Sequence, residues 1–169
     1  MNILKVSKNW MFNEINIDVD NYKIKNIYDS HIIYRALDIA SRFSNSKIYY
    51  RKSSSKKGIH IRIFLNDGDC IDVWSLFCYR AYIGDDRNRI CLDLVRIADE
   101  SLNGFNSHYY INKVRNRIMV LFDGKLRKDK DKWKKASDWI DITYLLDEMI
   151  KFRYFYESSE YFESGKLSD

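Results

Sequence analysis

The chain has 169 residues, 46% of them hydrophobic and 15% aromatic, with 29 Lys and Arg against 24 Asp and Glu for a net charge of +5. That apolar content excludes a disordered chain and suffices for one real core, and no apolar run reaches the length of a membrane span. Met1–Lys8 lacks the apolar stretch of a signal peptide, so the sequence reads as cytoplasmic (host cytoplasm for a viral chain), and Cys70, Cys78 and Cys91, without CxxC spacing, are expected to be buried free thiols.

In chain order, Ile15 to Asp20 alternates apolar and polar, which predicts a half-buried strand with Ile15, Ile17 and Val19 on the core side. Asp29 or Ser30 can cap the amphipathic helix expected over His31–Phe43. Lys47–Lys52 and Ile59–Leu65 read as two strands of a hairpin joined by the polar turn Ser53–Gly58. In the second strand Ile59, Ile61 and Ile63 share one face, and His60, Arg62 and Phe64 the other. Asn66–Asp69 is a turn, Ile71–Ile83 a helix closed by Gly84, and Arg89–Val95 alternates as a strand would. Ala98–Ser107 reads as loop, Arg117–Phe122 as a buried strand, Lys125–Lys135 as a charged loop, and the stretch from Trp139 as a helix with Ile142, Leu145, Leu146, Met149 and Ile150 inward. Chain 1–150 is expected to form one α+β domain with a mostly antiparallel sheet, and 151–169 a helical extension or tail.

Chemistry concentrates on the polar strand faces. Asp18 and Asp20 point the same way, roughly 6.5–7 Å apart along the strand, and two carboxylates that close call for a divalent cation or a basic cluster. From Ile39 to Asn66 there is no acidic residue, while Arg42, Lys47, Arg51, Lys52, Lys56, Lys57 and Arg62 lie there, a field suited to phosphates. Asp93, on the later expected strand, completes an acidic triad beside His60, Arg62 and the Ser55–Gly58 turn. Such parts suit nucleotidyl transfer: carboxylates hold Mg²⁺ or Mn²⁺, basic groups cradle the phosphates, and glycine admits close backbone approach. Each residue has a plainer alternative. His60 can be an ordinary sheet histidine and Asp93 an ion-paired residue, while Asp72, Asp85 or Asp86 compete for the third acidic position.

Asp18-Val19-Asp20 on a strand, Ser55-Lys56-Lys57-Gly58-Ile59-His60 leading a second, and Leu92-Asp93 together resemble the three motifs of the archaeo-eukaryotic primase (primase-polymerase) superfamily over Ile15–Arg96. The resemblance implies a primase-like domain with an RRM-like sheet and helices packed on one face, and a Mg²⁺- or Mn²⁺-dependent nucleotidyltransferase of DNA replication. It makes Asp18, Asp20 and Asp93 catalytic metal ligands. It places Ser55, Lys57, Gly58, His60 and Arg62 at the nucleotide, and the remaining cations Arg51, Lys52 and Lys56 are expected to meet nucleic acid. Implied partners are nucleoside triphosphates, a DNA or RNA template and a replication protein, without a membrane, and small members of the family occur on archaeal plasmids and viruses. Position 56, where the family often carries glycine, is lysine here. A metal-dependent nuclease and a non-catalytic single-strand-binding module are the alternative functions for the same groups.

Overall fold

The computed structural model describes residues 11–66, 68–102, 127–129, 132–134 and 136–151. Its elements are β1 (Met11–Phe12), β2 (Glu14–Val19), α1 (His31–Ala40), β3 (Lys47–Lys52), β4 (Ile59–Phe64), β5 (Ile71–Asp72), α2 (Val73–Ile83), α3 (Arg87–Leu102), β6 (Arg127–Asp129), β7 (Lys132–Lys134), β8 (Ile140–Asp141) and a helix α4 at 144–151. The architecture is mixed α+β, as expected. An antiparallel four-stranded sheet runs in the order β2-β4-β3-β8, and β1-β5 and β6-β7 form two separate two-stranded sheets.

Period-two alternation sets the sheet. Ile15, Ile17 and Val19 of β2, Ile59, Ile61 and Ile63 of β4, and Ile48 of β3 are buried in one core with Ile33, Ala36 and Leu37 of α1 and Leu76 and Phe77 of α2. A one-residue slip would turn every isoleucine outward, so the apolar face fixes the register. In that register Asp18 lies opposite His60 and Asn16 opposite Arg62, while Arg51 lies opposite His60 from the other side.

The helix termini follow local polar chemistry. Ser30 caps α1, its Oγ accepting the Ile33 N–H at 3.3 Å. The helix stops at Ala40, short of Phe43, because Ser41 Oγ donates to the Asp38 carbonyl at 2.8 Å and Ser46 Oγ to the Ala40 carbonyl at 2.7 Å, closing the last turn. Asp72 caps α2 by accepting the Trp74 and Ser75 N–H groups at 2.8 and 3.0 Å. The helix expected from Ile71 therefore starts at Val73, and Ile71–Asp72 pair with β1 instead. Gly84 ends α2 at φ +114°, a conformation that favours glycine.

Several expectations are overturned. Arg89–Val95 is not a strand but part of α3, which also takes Ala98–Leu102 from the expected loop. Asp93 and Ile97 are buried, Ile90 and Leu94 half-buried, and Leu92 and Val95 exposed. That is spacing by three and four residues, and the apparent alternation in so short a stretch concealed it. Trp139 does not begin a helix: Ile140 and Asp141 pair with Tyr50 and Tyr49 on the sheet edge, Asp141 accepts the Thr143 N–H at 2.9 Å, and only then does α4 begin. Ile142, Leu145 and Leu146 are buried as expected and Met149 is half-buried, but Ile150 is exposed near the end of α4. The cysteines are free but exposed, because Cys70 precedes β5 in a loop and Cys78 and Cys91 lie on outer helix faces.

Within the segment expected to be a charged loop, β6 and β7 form a hairpin. The expected strand Arg117–Phe122, Tyr109–Ile111, His108 and the tail from Tyr154 lie outside the described residues. Among the described residues no helix is long and apolar enough to cross a membrane.

Candidate acidic and histidine site at the sheet end

The ends of β2 and β3, the start of β4 and the α2–α3 junction meet at one end of the sheet. Gly58 closes β4 against β2: a Cβ there would stand 2.4 Å from the Val19 carbonyl oxygen and 3.3 Å from Asp20 Cα. This glycine is thus required by strand contact, and it brings the Ser53–Gly58 turn against Asp20. Ser53 organises the turn, its N–H donating to the Gly58 carbonyl at 2.9 Å and its Oγ accepting the Gly58 N–H at 3.2 Å. Ser55 Oγ lies 3.0 Å from Ser53 Oγ and accepts the Lys57 N–H at 3.2 Å. Lys56 holds φ +56°, a left-handed conformation. Lys52, Lys56 and Lys57 are exposed.

Asp18 is held by its backbone. Its N–H donates to Asp85 Oδ1 at 2.6 Å, and its carbonyl accepts the Asp86 N–H at 2.8 Å. The α2–α3 junction therefore clamps the strand at the residue that carries the carboxylate. Burial pushes the Asp18 carboxyl up to about 6; repulsion from Asp20, Asp85 and Asp86 adds to this, while Arg89 pulls the other way. His60 Nε2 stands 3.5 Å from Asp18 Oδ1, and His60 Nδ1 accepts the Arg51 Nε–H at 3.1 Å. Arg51 is buried, with its guanidinium 4.3 Å from the Trp139 ring centroid. One row along the sheet Arg62 donates from Nε to Asn16 Oδ1 at 3.0 Å and lies 4.9 Å from the same indole.

The structure brings together Asp18, Asp20, His60 and the Ser55–Gly58 turn, and sets Asp93 apart. Expected on a strand beside the pair, Asp93 is buried on α3, where Arg80 Nη1 donates to one carboxylate oxygen at 2.9 Å and Arg96 Nη1 to the other at 2.6 Å. The ion-paired alternative is the one observed. Of its competitors, Asp72 caps α2 and is held below the usual carboxylate range by the Ser75 hydroxyl. Asp85 is buried between Arg80 (2.6 Å) and Arg89 (2.9 Å). Asp86 is half-buried and caps α3 through the Arg89 N–H at 2.8 Å, and its charge reaches Asp18. Arg51, expected to meet nucleic acid, faces His60 and Trp139 instead of solvent.

Among the described residues no group of three or more His, Cys, Asp or Glu side chains is arranged to hold a metal ion. Burial is the first cause of the raised Asp18 carboxyl and neighbouring negative charge the second, and a cation would relieve the second; Mg²⁺ is commonly held by one or two carboxylates with water and substrate phosphates completing the shell. Asp18 and Asp20 fit that limited role. Sequence reasoning missed Arg80 and Trp139 as parts of this end of the sheet, and had Asp85 only as a competitor for the third acidic position. Arg80 was legible, as a charge within the otherwise apolar run of α2. No protein-family model, curated protein or solved structure matches the chain.

Proposed function

We propose that the chain is a metal-dependent enzyme of phosphoryl chemistry, and within that class a nucleotidyltransferase of the primase-polymerase kind, joining nucleotides on a nucleic-acid template. One observation carries the reading: Asp18, raised by burial and by Asp20, stands in register across from His60, with the lysine-bearing turn closing on Asp20. Bound between Asp18 and Asp20, Mg²⁺ or Mn²⁺ would neutralise the triphosphate and favour ionisation of the attacking hydroxyl. The chain's own part is to fix Asp18 through the Asp85 and Asp86 clamp, with Asp20 exposed in the turn just beyond β2. It also presents the exposed Lys56 and Lys57 ammonium groups to phosphate oxygens, with the buried His60 ring backing Asp18.

The test is incubation with labelled single-stranded DNA, a primed template, Mg²⁺ or Mn²⁺, and nucleoside triphosphates added or withheld. Triphosphate-dependent extension, lost by ~10²–10³-fold in Asp18→Ala and Asp20→Ala, is the expected result. Shortening without triphosphates would identify a nuclease. Salt-sensitive binding that ignores metal and both substitutions would identify a non-catalytic binding module.

A further inference from the structure

Helices α1 and α2 pack on the isoleucine face of the four-stranded sheet. On the opposite face Tyr49 of β3 lies across from Arg62 of β4, and Phe64 follows two residues further on. Three rings and one guanidinium meet there. The Tyr49 and Phe64 rings stand edge to face, 5.8 Å between centroids. The Arg62 guanidinium lies 5.6 Å from the Phe64 centroid and 4.9 Å from that of Trp139. Its Nε donates to Asn16 Oδ1 at 3.0 Å, and Asn16 is buried, so the side chain is anchored at its inner edge. Among the described residues no carboxylate pairs with Arg62. Phe64 and Lys47, paired across the two strands, are exposed, and Tyr49, Arg62 and Trp139 are half-buried. Neither β3 nor β4 carries an acidic residue.

We propose that Tyr49, Arg62, Phe64 and Trp139 form a platform for single-stranded nucleic acid, with bases stacking on the rings and phosphates meeting Arg62 and Lys47. Every base has a π-face, so aromatic side chains on an open surface take a strand with little regard to its sequence. Arg62 spends Nε on Asn16, which leaves its two NH₂ groups for phosphate oxygens. An apolar protein surface laid on the same face would bury that charge without an acceptor, which is costly. The platform also continues the candidate site. Arg62 and Phe64 follow His60 at two-residue steps along β4, and Asn16 precedes Asp18 by the same step on β2. A strand on the platform is thereby led to the Asp18 carboxylate. That this strand is a template rests on the nucleotidyl-transfer reading; that the face binds a strand does not.

The test measures binding by the full chain in EDTA, without triphosphate. The probes are labelled oligothymidylate and oligouridylate of ~12 nucleotides, within the range such surfaces occupy, read by fluorescence anisotropy. An abasic strand of equal length and charge is the comparison. At least one probe is expected to bind ~10-fold or more tightly than the abasic strand. Tyr49→Leu and Phe64→Leu keep apolar volume but remove the ring, and each should weaken binding by ~5–100-fold, while Tyr49→Phe should bind as the parent does. Arg62→Met should weaken binding and lower its salt dependence by about one counterion. Tyr34→Leu, at an exposed ring on α1, is the control and should change nothing. Thermal unfolding checks that each variant is folded, and Tyr49→Leu carries the test if Phe64→Leu is not. Equal affinity for the abasic strand, or parent-like affinity in the folded leucine variants, would overturn the proposal. Binding as expected without triphosphate-dependent extension leaves the platform standing and overturns the nucleotidyl-transfer reading. Extension that ignores both leucine substitutions overturns the platform and leaves that reading standing.

Discussion

Two clusters of carboxylates and guanidinium groups lie against each other in this fold, and they are balanced differently. In the α2–α3 cluster Asp85 is flanked by Arg80 and Arg89, and Asp93 by Arg80 and Arg96, all within 2.9 Å. At the sheet end burial raises the Asp18 carboxyl to about 6, and Asp20, Asp85 and Asp86 add to this as like charges while Arg89 opposes them. The first cluster is a staple: each desolvated charge meets an opposite one. The second is a surplus, and the fold sustains it by backbone bonds from Asp18 to Asp85 and Asp86. A surplus of negative charge held in place by a balanced network is what a cation-dependent site requires, since the cation itself supplies the missing countercharge.

Breaking the staple should have the largest effect. Arg80→Met leaves Asp85 and Asp93 each short of a buried partner, and removing one member of a buried network costs about 3–5 kcal/mol. Urea unfolding of the variant and the parent chain at pH 7 measures it. A loss below ~1 kcal/mol would mean the cluster is solvated in practice and the contrast is false.

Relieving the surplus should act with the opposite sign. Asp18 has a folded pKa of about 6 against 3.8 unfolded, so between those values the native state binds more protons than the unfolded chain. Its contribution to stability is therefore complete below about 3.8, is lost as the pH rises through about 6, and amounts to no more than ~3 kcal/mol. Asp18→Asn should be more stable than the parent at pH 7 by a part of that amount, with the gain vanishing near pH 4. Mg²⁺ should raise the Tm of the parent at pH 7 and leave that of the variant unchanged. If Asp18→Asn is destabilising at pH 7, groups other than Arg89 compensate the carboxylate.

How far the sequence shows this contrast depends on which residues carry it. The strand under Asp18, the hairpin and the His60 side of β4 are legible because period-two alternation is a local signal and each strand is long enough to display it, whereas Asp20 falls just beyond β2 in a turn. Asp93 is not legible. Seven residues of apolar and polar alternation fit a strand as well as one face of a helix, and only the burial of Ile97 and the long-range ion pair with Arg80 decide for the helix. The clamp on Asp18 is invisible for the same reason, since Asp85 lies 67 positions further along the chain. The role of Gly58 is partly legible: the glycine stands out before His60, but its reason is contact with the Val19 carbonyl, which appears only once β2 and β4 are paired.

Gly58→Ala sharpens the comparison at the seam between turn and strand. Its Cβ would fall 2.4 Å from the Val19 carbonyl oxygen, which is backbone and can give way only by moving β2. A loss of ~1–3 kcal/mol is expected by thermal or urea unfolding. Because Asp20 Cα lies 3.3 Å from the same point, the shift should also disturb the spacing of Asp18 and Asp20. Metal-dependent activity should then fall by more than the population of unfolded chain accounts for.

The smallest effect belongs to Lys56, and it separates structure from charge most cleanly. At φ +56° its side chain is exposed and its backbone is in the left-handed region, where an L residue is strained by ~1–2 kcal/mol and glycine is not. Glycine carries its own cost in the unfolded chain of ~0.5–1 kcal/mol, so Lys56→Gly should stabilise by no more than ~1 kcal/mol. The turn is held by Ser53 through its own N–H and Oγ, so the backbone path is retained. Two outcomes then differ in meaning. If Lys56→Gly gains stability and keeps its activity, the lysine is dispensable and its neighbour Lys57 serves the phosphates. If stability rises while the KM for triphosphate also rises, the chain has kept a strained lysine for its charge, and the countercharge that Asp18 and Asp20 lack on the protein side is matched by one that the turn holds ready for the phosphates.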